Sequence, residues 1–306
     1  MKQLGPEAAA DLALWKEQFA ASVSEEAIQK AEGDAADELE RDRKWALRIE
    51  RKQREFAGTI ARPFVADAPK SCGSWAEWNA PREPYRVHGS TYYVGTAGLS
   101  AILITSEAGH VLIDGGLPQS APLIDASIRT LGFRTEDVRL ILNSHAHYDH
   151  AGGIAALQRA SGAAVAAGGA AALHGGGPPP DDPQFAIGVQ ANSFPPVSGA
   201  RAVRNGETLR VGTLAVTAHL TPGHTPGSTT WTWRSCEGTR CLDVVYADSL
   251  TAVSADAYRF GDAGGGRYAA AFRRGIDAIG SLPCDVLLTP HPSASGMDEK
   301  LRRRSA

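Results

Sequence analysis

The densest group of potential metal ligands in this 306-residue chain lies in one short stretch. Three imidazoles and one carboxylate occur within it, at His145, His147, Asp149 and His150. Neutral imidazole and carboxylate are the usual zinc ligands other than thiolate. Burying so many polar groups together without a cation would be costly, because ring nitrogens and charges would be left unsatisfied. The stretch therefore predicts a metal site, and a polar loop with three unrelated histidines is the alternative.

Two further histidines lie where predicted strands end. His224 is in the segment 221–228, which contains two prolines and two glycines, and His291 stands between Pro290 and Pro292. Loops at strand ends often carry functional residues, and a rigid frame suits a ligand whose direction matters. Either histidine alone would be interpreted as solvated or hydrogen-bonded. Beside the dense motif, both are predicted ligands.

Six ligands exceed what one tetrahedral zinc ion takes. They suit two Zn²⁺ ions with a hydroxide between them. Two-metal hydrolytic sites hold their ions about 3.5–4 Å apart, and zinc lowers the pKa of its water to about 7. Such a centre adds hydroxide to an electrophilic carbonyl or phosphorus atom.

The residues around the motif predict how it is positioned. Residues 138–142 form a short apolar run, which is typical of a buried strand. Alternate side chains on an extended segment point the same way, so the first three ligands can share one face. His150 breaks this alternation, and a turn after Tyr148 would bring it to the same point from another side. Gly152 and Gly153 leave room for the following helix to pack closely.

Hydrophobic periodicity predicts an α/β domain at residues 66–306, preceded by a helical N-terminal extension at residues 1–65. Strands are predicted at 92–94, 100–104, 110–114, 138–142, 209–211, 214–218, 229–233, 243–246 and 285–289. Helices are predicted at 7–21, 25–57, 122–131, 154–161 and 268–279. The Gly- and Pro-rich residues 175–183 are predicted to be a loop, and a long irregular stretch near a metal site is usually functional.

The composition excludes several classes of protein. An apolar fraction of 43% and a charged fraction of 21% are those of a soluble globular protein. A net charge of −3 gives no overall basic field for nucleic acid. No apolar run approaches the length that spans a bilayer, and no signal-peptide core follows Met1. We therefore expect no nucleic-acid or membrane partner.

The four cysteines, at positions 72, 236, 241 and 284, form no Cys-x-x-Cys pair. A thiolate zinc knuckle or a redox motif is therefore not expected. Cys236 and Cys241 flank a predicted turn between two strands, where a disulfide could join them and would indicate an oxidising compartment. Two free thiols near a hairpin tip are the alternative. Cys72 and Cys284 have no obvious partners.

Taken together, the motifs resemble the metallo-β-lactamase superfamily. The shared order is His145-x-His147-x-Asp149-His150, residues 223–228, Asp248-Ser249 and Pro290-His291-Pro292. Within the superfamily the chain is most similar to the third subclass of class B β-lactamases. That similarity is carried by residues 93–96, 112–114, 182–185, 231–233, 246–251 and 284–292, and the whole resemblance spans residues 72–297.

The resemblance implies a four-layer αβ/βα sandwich with the metals at one edge. It also implies zinc-dependent hydrolysis of the β-lactam amide bond of penicillins, cephalosporins and carbapenems, and thereby antibiotic resistance. A bridging hydroxide oriented by Asp149 would attack the carbonyl. The implied ligands are His145, His147 and His224 for the first zinc, and Asp149, His150 and His291 for the second. The implied substrate-binding residues are Ser249, Thr251 and Gln184.

The pair Asp248-Ser249 leaves an alternative open. Superfamily hydrolases such as glyoxalase II and lactonases bridge the two metals with an aspartate in this region. Neighbouring residues of a strand point to opposite faces, so only one of the two should face the metals. The surrounding pattern favours Ser249 inward and Asp248 outward. If Asp248 faces inward, a thioester or lactone hydrolase is the better interpretation, and a non-catalytic zinc-binding scaffold is a third possibility.

Some features differ from what the resemblance implies. The predicted N-terminal helices are longer than usual in the family, and we expect them to pack on the domain or to mediate self-association. The helix that usually follows the position of His291 is expected to be missing, so the C-terminal end of the domain is shortened. The resemblance implies a periplasmic or secreted protein, whereas the absence of a signal peptide leaves the cytoplasm open.

Overall fold

The computed structural model describes residues 64–71, 74–260 and 263–305. All of them belong to one compact unit, Lys52–Ala306. The predicted helices at 7–21 and 25–57 and the residue Cys72 lie outside the described residues. Within the described ranges, no helix is both long enough and apolar enough to cross a membrane.

A seven-stranded sheet contributes Leu103, Leu112 and Ile141 to the main buried apolar cluster. Its strands are β1 (Tyr85–His88), β2 (Thr91–Tyr93), β3 (Ile102–Ile104), β4 (His110–Ile113), β5 (Val138–Asn143), β6 (Ala164–Ala167) and β7 (Arg201–Ala202), in that spatial order. Strands β1 to β4 pair antiparallel, and β4 to β7 pair parallel. The parallel strands β4 to β6 are almost wholly buried, which explains their continuous apolar sequences.

A five-stranded sheet packs against the first. Its strands are β8 (Thr208–Val211), β9 (Leu214–Leu220), β10 (Thr229–Glu237), β11 (Arg240–Tyr246) and β12 (Val286–Leu288), in the order β12-β11-β10-β9-β8. Two indole groups on β10 tie the sheets together. Trp231 Nε1 donates to the carbonyl of Asn143 at 3.1 Å, and Trp233 Nε1 donates to Thr91 Oγ1 at 2.9 Å. The sheets are therefore joined by hydrogen bonds as well as by apolar packing.

Helices cover the outer faces and give the predicted αβ/βα sandwich. They are α1 (Trp75–Trp78), α2 (Ala121–Thr130), α3 (Tyr148–Ala151), α4 (Ile154–Ser161), α5 (Ala170–Gly175), α6 (Val189–Asn192), α7 (Ala263–Gly280) and α8 (Met297–Ser305). Ile124 of α2 and Leu157 of α4 belong to the same buried cluster as Leu112 and Ile141 of the first sheet. Because these apolar stripes meet one sheet face, burial rather than helix propensity stabilises both helices.

The cysteines and the C-terminal helix bear on two of the sequence predictions. The predicted disulfide is present, since Cys236 and Cys241 are bonded and face each other across the β10–β11 hairpin. Cys284 is a free, exposed thiol. The expectation that no helix follows His291 was wrong, because α8 forms there. Only Met297 and Leu301 of its nine residues are apolar, and so short a stripe is a weak indication of a packed helix.

A cluster of charged side chains holds the turn between α2 and β5. Arg129 donates to Asp125 Oδ2 from Nε and to Glu136 Oε1 from Nη2, both at 2.9 Å. The hydroxyl of Thr135 donates to Asp125 Oδ1 at 2.6 Å. Burial by itself would raise the pKa of Glu136, but the hydrogen bond and charge of Arg129 outweigh it, so the pKa of Glu136 is lowered.

We expect Glu136→Gln to lower the free energy of unfolding by about 1–3 kcal/mol at neutral pH, because Arg129 loses a charged hydrogen bond. A carboxylate with a lowered pKa stabilises the fold above its unfolded-state pKa of about 4.3, and this contribution is lost as the pH falls through the folded-state pKa. The difference between variant and wild type should therefore vanish in acid. Urea unfolding of metal-free protein at several pH values measures it. Asp137→Asn, in the same turn, is the matched control, and a difference that persists in acid would contradict the assignment.

Candidate metal centre

The dense motif lies where β5 leaves the first sheet. Its last strand residue is Asn143, and α3 begins at Tyr148 with His147 as its N-cap. This turn carries His150 to the side predicted from the sequence. The two glycines after α3 are required by close packing, since a Cβ on Gly153 would lie 2.2 Å from the carbonyl oxygen of Gly115.

His224 occupies a tight turn between β9 and β10. The amide of Thr221 donates to the carbonyl of Ser228 at 2.9 Å, which closes the turn. A Cβ on Gly223 would lie 1.7 Å from Phe272 Cδ2 of α7, so glycine is needed for that helix to pack here. The position of His224 is thus fixed from the strand side and from the helix side.

The structure brings the six predicted ligands into one centre. The ligand atoms of His145, His147 and His224 lie within 4.8 Å of one another, and so do those of His145, Asp149 and His150. All five of these residues are buried. The ring centroids of the first three histidines are 4.6–4.9 Å apart. Two adjoining clusters therefore share His145.

His291 completes the second cluster at its more open side. Its Nε2 lies 3.3 Å from Asp149 Oδ2, and its ring centroid lies 4.9 Å from that of His150. Its Nδ1 donates to the carbonyl of Gly98 at 3.2 Å, and the ring of Trp78 packs 5.2 Å away. About 29% of the His291 side chain is exposed, so this ligand lies nearest the solvent.

Hydrogen bonds fix the orientation of the three histidines in the first cluster. His145 Nδ1 donates to Asp248 Oδ1 at 2.7 Å, and His224 Nδ1 donates to the carbonyl of Thr251 at 2.7 Å. The Nε2 atom of His147 donates to Asp182 Oδ1 at 3.4 Å. One nitrogen of each ring is thus engaged outside the cluster, which leaves the other for a metal, as in known metal sites.

The charge states of His145, His224 and Asp149 suit metal binding, whereas Asp149 outweighs burial and raises the pKa of His150, which must lose its proton to bind a metal. Burial and the neighbouring histidines lower the pKa of His145 well below its usual value, and they lower that of His224 to about 3. Burial opposes ionisation of Asp149, but His150 and His291 outweigh it and hold the pKa of Asp149 well below its usual range. Neutral imidazole and ionised carboxylate are the forms that bind a metal.

Unsatisfied atoms at the centre complete the test for a cation. Among the residues that the structure describes, none is a hydrogen-bond partner of His145 Nε2 or of either ring nitrogen of His150, and all three atoms are buried. Buried polar groups are rarely left unpaired, because each costs free energy comparable to a lost hydrogen bond. A divalent cation would satisfy these nitrogens together with Asp149. The residues therefore fit the metal centre that the sequence predicted.

A buried aspartate, Asp114, accepts four hydrogen bonds that hold the start of the metal motif in place. Asp114 Oδ1 accepts from Asn143 Nδ2 at 2.9 Å and from the amide of Ser144 at 2.7 Å. Its Oδ2 accepts from the hydroxyls of Ser144 and Tyr246, each at 2.7 Å. Asp114 also has a left-handed backbone with φ 65°. This role was not predicted from the sequence, although an aspartate between a buried strand and Gly-Gly was a usable signal.

The structure places Asp248 differently from the strand-based expectation. Asp248 is buried behind His145, whereas Ser249 is half-buried. Because β11 ends at Tyr246, strand alternation no longer governs these two residues. Asp248 nevertheless belongs to neither ligand cluster, since its Oδ1 atom is engaged by the outer nitrogen of His145.

The three predicted substrate-binding residues surround the centre without forming one group. Thr251 is exposed, and both its carbonyl oxygen and its Oγ1 lie close to His224 Nδ1, at 2.7 and 3.3 Å. Gln184 is half-buried on the loop before α6, where its carbonyl accepts from Asn192 Nδ2 at 2.9 Å. Their roles toward a substrate, like that of Ser249, stay predictions. The contact between Asp182 and His147 was not predicted from the sequence.

Comparison with known proteins identifies the family. The sequence profile described as Metallo-beta-lactamase superfamily matches residues 95–293. The Rm3 metallo-beta-lactamase is 50% identical, with a TM-score of 0.73, over 77% of this chain and 87% of that one. MEM-A1, a subclass B3 metallo-beta-lactamase isolated from a soil metagenome library, is 48% identical, with a TM-score of 0.71, over 74% and 86%.

A curated protein matches over a shorter region. It is the hydroxyacylglutathione hydrolase of Anaeromyxobacter dehalogenans (strain 2CP-C), 32% identical over 131 residues, which is 43% of this chain. The match spans only 40% of the length of that relative. The profile, by contrast, spans most of the chain and every residue of the two ligand clusters. The chain therefore belongs to the metallo-beta-lactamase superfamily, and it resembles the subclass B3 enzymes.

Proposed function

We propose that this protein is a zinc-dependent β-lactamase that hydrolyses the amide bond of penicillins, cephalosporins and carbapenems. The observation that carries the proposal is the pair of adjoining ligand clusters in a chain about half identical to β-lactamases. The residues of both clusters suit zinc, which prefers imidazole and carboxylate ligands in hydrolytic sites. The substrate would be a small molecule, and the reaction would inactivate the antibiotic.

Two zinc ions would be held by different sets of residues. The first set is His145, His147 and His224, and the second is Asp149, His150 and His291. When bound, zinc supplies Lewis-acid chemistry, which makes water nucleophilic near neutral pH and polarises a carbonyl oxygen. Each set is contiguous, and His145, whose ring centroid also lies 4.4 Å from that of His150, is assigned to the first set by the family resemblance.

The protein's own groups bind and orient the reactants. Both His150 and His291 approach Asp149 at Oδ2, at 3.2 and 3.3 Å. The other oxygen of this ionised carboxylate can accept a hydrogen bond from the attacking water and fix its direction. Positioning of this kind is worth several orders of magnitude in rate. We assign binding of the substrate carboxylate to Ser249 and Thr251, with Gln184 reaching in from its loop.

Hydrolysis of a thioester is the second candidate, since a curated relative of the chain is a hydroxyacylglutathione hydrolase. The placement of Asp248 argues against it. That alternative requires an aspartate between the two metals, whereas Asp248 Oδ1 is engaged by Nδ1 of His145 at 2.7 Å. The β-lactamase proposal is therefore the better supported.

The first experiment measures turnover of a chromogenic cephalosporin by zinc-loaded protein, with the thioester S-lactoylglutathione assayed in parallel. We expect cephalosporin turnover that EDTA abolishes and added zinc restores, with little thioester cleavage. Turnover of the thioester alone would overturn the proposal in favour of the second candidate. A folded protein that binds zinc and cleaves neither compound would also overturn the proposal and leave a lactone hydrolase or a non-catalytic scaffold.

We also propose a periplasmic or secreted location. Disulfides persist in oxidising compartments and are rare in the bacterial cytosol. The bond between Cys236 and Cys241 supports such a compartment.

A further inference from the structure

Asp182 is a buried carboxylate in an irregular segment. It follows three consecutive prolines in the loop between α5 and α6, and only 3% of it is exposed, whereas its neighbour Asp181 is exposed. Lys, Glu, Arg and Asp are almost never fully buried unless they are paired. The partner here is His147, whose Nε2 lies 3.3 Å from Asp182 Oδ2 and 3.4 Å from Oδ1. Asp182 itself belongs to neither ligand cluster.

The contact determines which nitrogen of His147 faces the cluster. In His145 and His224 the Nδ1 atoms are engaged from outside, by Asp248 and by the carbonyl of Thr251, so their Nε2 atoms remain. In His147 the engaged atom is Nε2, and Nδ1 remains. A ring turned by 180° would present the wrong nitrogen, and an acceptor at Nε2 fixes both the tautomer and the ring orientation.

Asp182 is in turn fixed by its own loop and by a second one. Its Oδ1 accepts from the amide of Gln184 at 2.8 Å, and its own amide donates to the carbonyl of Pro179 at 2.9 Å. The next carbonyl, that of Pro183, accepts from the amide of Ala255 at 2.9 Å. Ala255 lies just beyond Thr251, whose carbonyl holds His224. The two loops that orient His147 and His224 are therefore hydrogen-bonded to each other.

We propose that Asp182 is the positioning residue for His147, which it holds with Nδ1 directed at the first metal, and that it thereby fastens the proline-rich loop to the centre. The proposal rests on the proposed function, because it takes His147 as a ligand of the first ion. It assigns Asp182 no contact with a metal or a substrate. Its effect is on the geometry and affinity of one ion of the two.

The test measures metal binding and does not depend on turnover. Asp182→Ala is expected to weaken binding of one zinc ion by about 10–100-fold, the usual effect of losing an outer partner of a metal-bound histidine. The affinity for the other ion should change little. Competition with a chromogenic zinc chelator resolves the two steps. The visible spectrum of cobalt-substituted protein should show an altered first site.

Two further variants make the result specific. Asp181→Ala removes the same charge from the adjacent, exposed position and should bind both ions like wild type. Asp182→Asn keeps the shape of the side chain, so it serves if the alanine variant fails to fold. This variant should still measurably weaken the binding of one zinc ion, because one amide oxygen replaces two carboxylate oxygens.

The outcomes separate this inference from the proposed function. Wild-type protein that binds no zinc would overturn the proposed function itself. Wild-type protein that binds two ions, with unchanged affinities and an unchanged cobalt spectrum in both Asp182 variants, would overturn only the role of Asp182. Equal losses of zinc affinity in the Asp181 and Asp182 variants would also overturn the role of Asp182, since the effect would then be one of loop charge. Equal weakening of the binding of both ions would overturn it too, since the effect would then be one of general stability.

Discussion

Replacement of Asp149 by asparagine is expected to lower kcat/KM for a β-lactam by about 1,000-fold or more. The carboxylate contacts two histidines of the second cluster through Oδ2, and its pKa is held well below the usual range. Asparagine has nearly the same shape but carries no charge, so it neither balances a cation nor accepts strongly from an attacking water. Losing a group that assists proton transfer costs about 10²–10⁴-fold, and weaker metal binding adds to that.

The measurement pairs steady-state kinetics with the zinc content of the same samples. If the variant keeps two zinc ions and loses activity, Asp149 acts chiefly on the water. If it loses one ion, its main role is as a ligand. Asp181→Asn provides the matched control, because it removes one nearby exposed carboxylate and should retain wild-type kinetics. An Asp149→Asn protein within tenfold of wild type would contradict the proposed role.

The second large effect is expected for Asp114→Ala, which should lower the free energy of unfolding by about 4 kcal/mol or more. Three side chains and one backbone amide donate to this carboxylate. A buried donor left unsatisfied costs about 1–3 kcal/mol. Alanine also tolerates the left-handed backbone at this position less well than aspartate does, which adds about 1 kcal/mol.

Asp114→Asn is the informative comparison. Its amide oxygen can accept from Asn143 and from the Ser144 amide, as Oδ1 does now. The hydroxyls of Ser144 and Tyr246 can rotate to accept from the new amide group, because each is both a donor and an acceptor. We therefore expect a smaller loss of about 1–2 kcal/mol. Urea unfolding of metal-free proteins measures both, and an alanine variant within 1 kcal/mol of wild type would contradict the argument.

The metal motif was predictable because its signal is local. Four ligands within six residues follow an apolar strand, and two glycines allow the close packing that follows. His224 and His291 were predicted less directly, from rigid turns after strands. These residues are far from the motif in the sequence. Because all of them follow strands that end at one edge of the sheets, their meeting could still be predicted.

The supporting residues were harder to predict, for different physical reasons. Asp182 lies in a segment without periodicity, so nothing in the sequence gives its direction. Asp248 was assigned by strand alternation, although the strand ends two residues earlier. Helix α8 was missed because only two of its residues are apolar, which is too short an apolar stripe to predict a packed helix. In each case the deciding contact comes from a distant part of the chain.

The centre draws His145, His147, Asp149 and His150 from the first sheet, and His224 and His291 from loops that follow strands of the second. Neither sheet alone holds a complete ligand set for either proposed ion. We expect closing the loops between them to be the slow part of folding, since distant segments must meet before their contacts repay the entropy. Tight metal binding thus becomes possible only after the sheets have docked. The ions would slow unfolding, and their binding would show that folding is complete. They would not direct the early collapse of the chain.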